Sequence, residues 1–523
     1  MKRIAVPRNW AHRLVIAAVA VTFLALVLVR TAAQQHTRAS LQTGPVRAAG
    51  PTVSVIERAP DRSGQKGSGG PAVVHYAGAK EIKTGRLVKQ APDARLYHTG
   101  FASFEPTMGI TDDGSIFING FVDPNLLATA IIRSVDGGKT WEVVFDGHPT
   151  TNDPYMYVDP TTSRIFANDF LLPGCQLISI SDDAGDTWMT LPPAACLYNF
   201  DHQTIFAGPA PPGGVPPVGY PNVLYLCSIA GGASVASVTS ACSKSLDGGI
   251  SWVPTGTPAF FDDPRAGEEA GVPGLCNGAN GHGFVGPDGT VYLPRGWCGQ
   301  PWLAISTDEG LTWTRVQVAD NYMACCGLLA EIEGTAERIE LYSHEAGVVA
   351  DEEGSVYYTW VAGDRLPYLV ISRDGGATWG KPMMIGPPGV NETLLPSIAI
   401  GATGKIAIHY MGTENSPWNG REATGSYEDT QWNGYITMTT NALAKRPVFY
   451  TASINDPKEP LWIGPCGPDP DRCGWGDFFD VVIAEDGTPW SVAIDMCSEI
   501  RCIGAEASGE GVVAHLVGGP KLK

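Results

Sequence analysis

Charge is scarce in this chain of 523 residues: Asp, Glu, Lys and Arg make up 17%, and 54 acidic side chains outnumber 35 basic ones, for a formal charge of −19. That balance excludes nucleic acid as a partner, because phosphate backbones are gripped by clustered Lys and Arg. No Gly-rich phosphate cradle or dinucleotide fingerprint stands ahead of a helix, which sets aside the nucleotide-cofactor folds. Long helical periodicity is missing altogether, so the chain reads as all-β. The twelve cysteines include no CxxC spacing, which argues against a thiolate metal site.

An even cysteine count instead fits disulfides in an exported chain. Sequence neighbours suggest local bridges, Cys175 with Cys196, Cys227 with Cys242, Cys276 with Cys298, Cys466 with Cys473 and Cys497 with Cys502, while the adjacent Cys325 and Cys326 look for partners elsewhere; connectivity stays open. Residues 1–33 agree with export: Lys2, Arg3, Arg8 and Arg13 precede an apolar run from Leu14 to Val29, followed by the small-residue stretch Thr31-Ala-Ala33. Two readings stand, a cleaved signal peptide or a signal anchor spanning residues 14–29, and both place the rest outside the cytoplasm. That leader holds five basic residues and no acid, so without it the formal charge is −24. Residues 34–95, rich in Gly, Pro and Ser, read as a flexible stalk, and residues 96–523 as one domain.

Within that domain one phrase occurs five times, as Ser134-Val-Asp136-Gly-Gly-Lys-Thr140-Trp141, Ser181-Asp-Asp183-Ala-Gly-Asp-Thr187-Trp188, Ser245-Leu-Asp247-Gly-Gly-Ile-Ser251-Trp252, Ser306-Thr-Asp308-Glu-Gly-Leu-Thr312-Trp313 and Ser372-Arg-Asp374-Gly-Gly-Ala-Thr378-Trp379. Each follows an apolar run and ends on a Trp that starts the next strand, so the phrase is a hairpin turn. Its Asp accepts hydrogen bonds from the turn's own N–H groups, Gly supplies positive φ, the hydroxyls tie the arms, and the Trp buries its ring between neighbouring sheets. Asp-to-Asp spacings of 47, 64, 61 and 66 residues suit one four-stranded blade each. A fainter repeat of strand, tight turn and strand occurs seven times, beginning with Met108–Ile118 and ending with Asp480–Trp490. The expectation is a β-propeller of four-stranded blades, seven in number, with six as the alternative. The seventh blade lacks a last strand downstream, and Ala72–Tyr76 is the candidate to close it from upstream.

The repeated phrase resembles the Asp box of the sialidase-like (BNR) repeat family, over roughly residues 100–518. That resemblance implies a propeller, six-bladed in the sialidases themselves. It also implies that Asp136, Asp183, Asp247, Asp308 and Asp374 are structural and mark the face away from the site. The opposite face is built by the loops leading into each innermost strand and those leaving each second strand.

The lead-in loops carry Glu105, Asp153, Asp201-His202, His282, His344-Glu345 and Asp477. Opposed carboxylates there suit general acid and base work on a glycosidic bond, while His202, His282 and His344 with carboxylates form the alternative, a divalent-metal site. The family resemblance further implies three arginines on a sugar carboxylate, for which Arg295, Arg365 and Arg421 are the candidates. It implies a Tyr nucleophile, Tyr410 or Tyr427, paired with Glu345, and an acid at Asp123. Trp297, Trp302, Trp418 and Trp432 lie in or beside the same loops and offer flat rings for sugar faces. The Arg-Ile-Pro motif of sialidases is absent ahead of the first blade; Arg365-Leu-Pro367 carries similar letters before the fifth repeat. The leading expectation is an exported glycoside hydrolase acting on carbohydrate or glycoconjugate without a required cofactor. A non-catalytic glycan- or protein-binding propeller and a metal-dependent enzyme are the alternatives.

Overall fold

The computed structural model describes Gln65–Lys66, Gly69–Gly70, His75–Tyr76 and residues 93–523 apart from 122–128, 148–153, 172–174, 195–200, 232–237, 262–279, 298–299, 321–345, 420–423, 465–474, 477–478 and 497–508. The leader and Asp123, Asp153, His344, Glu345, Arg421 and Asp477 lie outside the described residues.

Seven antiparallel four-stranded blades form a ring. The strands of blade 1, innermost first, are Met108–Ile110, Ile116–Phe121, Thr129–Ser134 and Glu142–Phe145, and blades 2 to 6 follow the same up-and-down order. Their innermost strands are Tyr155–Val158, Asp201–Gly208, Phe284–Val285, Ala346–Ala350 and Glu392–Ala402. Blade 7 is composite: Asp480–Ile483, Pro489–Asp495 and Gly509–Val517 are completed by Asp93–Ser103, which pairs along Gly509–Val517. Each innermost strand touches the next, and that of blade 7 touches that of blade 1.

The closing strand does come from upstream, but it is not Ala72–Tyr76. His75–Tyr76 pairs with Met383–Met384 on the outer edge of blade 5, Gly69–Gly70 with Thr451 and Ala452 of blade 6, and Gln65–Lys66 with the closing strand itself. Three short pieces of the range read as a stalk thus add edge pairing to the ring.

Packing follows from the ring. The buried apolar residues fall into seven clusters, one in each seam between neighbouring blades. The closing strand feeds two of them: Ala94 and Leu96 face the seam of blades 6 and 7, and Phe101 that of blades 7 and 1. The Trp of every repeated turn packs in the seam with the preceding blade, Trp141 through Trp379 in order. Cys227 and Cys242, directly paired across blade 3, form the disulfide expected from their spacing, and Cys175 is also disulfide-bonded.

The five turns share one bond set. Each Ser hydroxyl donates to the Asp at 2.7–3.0 Å and accepts from the second Gly-position N–H at 2.8–2.9 Å. The Asp also accepts the N–H and the hydroxyl of the Thr or Ser four residues on, the latter at 2.5–2.8 Å. These bonds hold all five carboxyls below their usual range, Asp374 at about 2.

Innermost strands of adjacent blades share no ladder, so side chains stitch them. Thr107 Oγ1 accepts Met156 N–H at 2.7 Å, Tyr157 accepts Ala207 N–H at 3.2 Å, and Thr204 Oγ1 accepts Gly283 N–H at 3.2 Å. Asp480 closes the circle by accepting Met108 N–H at 3.3 Å.

Leu96→Ala, in the closing strand, is expected to cost about 2–5 kcal/mol in urea unfolding, because Leu96 is 1% exposed at a seam. A loss under about 0.5 kcal/mol would mean that this strand does not close the ring. Burial pushes the Asp480 carboxyl up to about 7 from 3.8. Between those values the native state keeps a proton that the unfolded chain has released, so this group's contribution to stability falls as pH rises from about 4 to about 7. Asp480→Asn should flatten that part of the stability profile relative to wild type; an unchanged profile would show that Asp480 titrates normally.

Candidate functional site

Antiparallel order puts the five repeated turns, between third and outer strands, at one end of the ring. The lead-in loops and the loops after each second strand therefore share the other end. On that loop face several lead-in residues adopt left-handed backbone: Glu105 and His202 at φ 48°, Leu395 at 55° and Gly476 at 73°. Two residues after Glu105, His202 and Leu395 stands a hydroxyl, Thr107, Thr204 or Ser397. Two of these hydroxyls are the blade stitches. Glu105 and His202 thus have a conformational role that residue type alone did not announce.

Glu105 is buried, donates its N–H to Trp475 O at 3.1 Å, and packs so closely on Gly476 that a Cβ there would meet its side chain. His202 is buried at 1% exposure. His282 Nδ1 lies 3.0 Å from the Tyr155 hydroxyl, which is 3.2 Å from Thr204 Oγ1, so one polar chain links blades 2, 3 and 4. Although its edge keeps some exposure, surrounding protein lowers the His282 pKa to about 4, which keeps the ring neutral. Among the described residues no three His, Cys, Asp or Glu gather as a metal site requires.

The two described arginines of the expected trio occupy different seams. Arg295, on the second strand of blade 4, is 0% exposed; it donates to Ser240 Oγ at 2.8 Å and stands 5.5 Å above the Phe260 ring. Trp297 beside it is buried edge-on against Trp302. Tyr410, expected as a nucleophile, is fully buried in the seam of blades 5 and 6. Its hydroxyl bonds Thr437 Oγ1 at 2.8 Å, its ring stacks on Tyr435, and burial pushes its pKa up. Trp432 is likewise wholly buried, in the seam of blades 6 and 7.

A denser cluster sits where the loops of blades 5 and 6 meet. Arg365, left-handed at φ 63°, ion-pairs through Nη1 with Glu392 and donates from the same nitrogen to the Tyr427 hydroxyl at 3.1 Å. Glu392 is 0% exposed, and its other oxygen accepts the Ser416 hydroxyl. The guanidinium lies 3.8 Å over the Trp418 ring, whose Nε1 donates to Asp364 O at 3.0 Å. Asn391 donates to Ser416 O and Trp418 O at 2.8 and 3.2 Å, and Thr393 Oγ1 to Arg365 O at 3.0 Å. Asn391 and Thr393 are therefore both engaged in holding the loops. Burial and the Glu392 charge push the Tyr427 hydroxyl above its usual range, with Arg365 opposing. Trp418 and Tyr427 both stay partly exposed, so a solvent-facing aromatic pair rests on a buried ionic base.

Arg365 and Trp418 were expected from loop position. Glu392 and Ser416 were not, because they lie 27 and 24 positions from their partners and meet them only through blade pairing.

No family model matches this chain, and no curated protein matches it. Among solved structures it is similar to the Hadza microbial sialidase Hz136, at 17% identity and TM-score 0.37 over 68% of this chain and 66% of that one. It is also similar to the Aleuria aurantia lectin in complex with Fucalpha1-6GlcNAc, at 10% identity and TM-score 0.39 over 68% and 97% of the two chains. A third similar structure is the Penicillium chrysogenum alpha-L-arabinanase complexed with arabinobiose, at 14% identity and TM-score 0.34 over 60% and 95%. This chain spans about two thirds of the length of that sialidase.

Proposed function

We propose that this chain is an exported, sialidase-like propeller of the Asp-box type that recognises carbohydrate on its loop face, with Trp418 as the sugar platform. One observation carries the reading. Trp418 is fixed from three sides, by Arg365 against its ring, by Asp364 O on its indole N–H and by Asn391 on its carbonyl, yet keeps part of its surface open. A ring held in one orientation loses little entropy on stacking against a sugar face. Tyr427 and the exposed Asn419 supply polar groups beside it.

Hydrolysis is the second reading. It needs Asp123 as the acid, Glu345 as the group that activates a Tyr nucleophile, and Glu105 as a further carboxylate at the axial mouth. Tyr410 is unsuited to nucleophilic attack, since its buried hydroxyl already bonds Thr437. Tyr427, beside Glu392 rather than Glu345, is the better-placed phenol.

Trp418→Ala is expected to weaken retention on immobilised glycans about tenfold, the scale of one lost aromatic stack. Val218→Ala, at an exposed position in the loop of blade 3's inner hairpin, should change nothing. Equal retention by the Trp418 variant, with an unaltered circular dichroism spectrum, would remove the platform.

A further inference from the structure

The reading of the loop face as a carbohydrate site leaves the class of sugar open, and the charges narrow it. We infer that the ligand is a neutral saccharide, and that a carboxylated one is disfavoured, because the two described arginines of the expected trio are already neutralised or enclosed by the protein.

Arg365 has its Nη1 committed to the wholly buried carboxylate of Glu392 and to the Tyr427 hydroxyl. Its flat face is covered by Trp418 at 3.8 Å. The pair carries no net charge, so an approaching carboxylate meets no net attraction there. Displacing Glu392 would strand a buried anion left with neutral hydroxyl partners such as Ser416. Arg295 is inaccessible at 0% exposure, turned onto Ser240 Oγ, which itself donates to Asn280 Oδ1 at 2.6 Å. The two arginines sit in separate seams, Arg295 against Ser240 and Phe260 and Arg365 against Glu392 and Trp418, so they do not form the convergent fork that bidentate carboxylate recognition uses. At longer range the formal charge of −19 repels anionic glycans.

What Arg365 does instead is positional: pinned by Glu392, it holds the Trp418 ring in place. Glu392→Gln keeps the shape and an acceptor at that position but leaves the guanidinium with its charge. It should therefore convert a neutral-sugar site into one that also draws carboxylates.

The test is a glycan array presenting each neutral chain beside its sialylated and uronylated counterparts, probed with the full chain at about 50 and 500 mM NaCl. The expected result is retention on neutral chains that changes less than about twofold with salt, and about tenfold weaker retention on the carboxylated counterparts. Glu392→Gln, checked for wild-type circular dichroism, should raise retention on carboxylated chains several-fold at low salt only. Preference of the wild type for carboxylated chains would overturn the inference while leaving the carbohydrate reading intact. An unchanged neutral preference in folded Glu392→Gln would remove the ion pair as its cause. Retention on no chain at all would instead sink the carbohydrate reading, and this inference with it.

Discussion

The pairing of Asp93–Ser103 with Gly509–Val517 is the constraint on which the rest depends. Seven twisted sheets arranged around an axis have two free ends until one blade is built from both ends of the chain. An open ring would expose sheet edges and two apolar seams to water. The closing strand supplies Ala94 and Leu96 to one seam and Phe101 to the other, so a single strand completes two hydrophobic interfaces. At its loop end, Glu510 accepts the Gly100 N–H at 2.7 Å and lies 3.0 Å from His98 Nδ1, which fixes the register beside a backbone bulge. On the inner rim, blades 1 to 4 and the junction of blade 7 with blade 1 are joined by single stitches, each a hydroxyl or carboxylate taking one N–H of the next blade.

Closure also sorts the chemistry between two ends. At the turn end polar groups are saturated locally: the repeated Asp residues spend both oxygens inside their own eight-residue phrases. The fourth turn goes further, since Glu309, in left-handed backbone at φ 57°, ion-pairs with Lys244 and accepts Val215 N–H, anchoring the Pro-rich loop of blade 3. At the loop end polar groups meet across blades, as Tyr155 does with His282 and Arg365 with Glu392. There the converging residues surround partly exposed aromatic rings, so that end can assemble a recognition surface while the other maintains the scaffold.

Legibility in the sequence tracks the range of the interactions. The turns were readable because every bond of the motif closes within eight residues, and the blade count followed from their spacing and from the inner hairpins. The closing strand was not, because Asp93–Ser103 breaks its alternation at Gly100, a bulge at φ 78°, and carries polar His98 and Thr99. Ala72–Tyr76 looked more strand-like, yet only His75–Tyr76 pairs, and with blade 5. At the loop face, position identified Arg365 and Trp418, but not that Glu392 neutralises the arginine. Nor could loop position foretell that Tyr410 points into a seam or that Arg295 turns inward, since in a strand one register step decides between core and surface.

Hydrogen exchange followed by mass spectrometry tests closure most directly, because exchange reports the opening free energy of each segment. The account predicts that residues 93–103 and 509–517 are protected to the same degree as a central strand such as Lys405–Thr413 and lose protection together as denaturant rises. Early exchange of 93–103 while 509–517 stays protected would contradict it, since the ring would then be closed by something else.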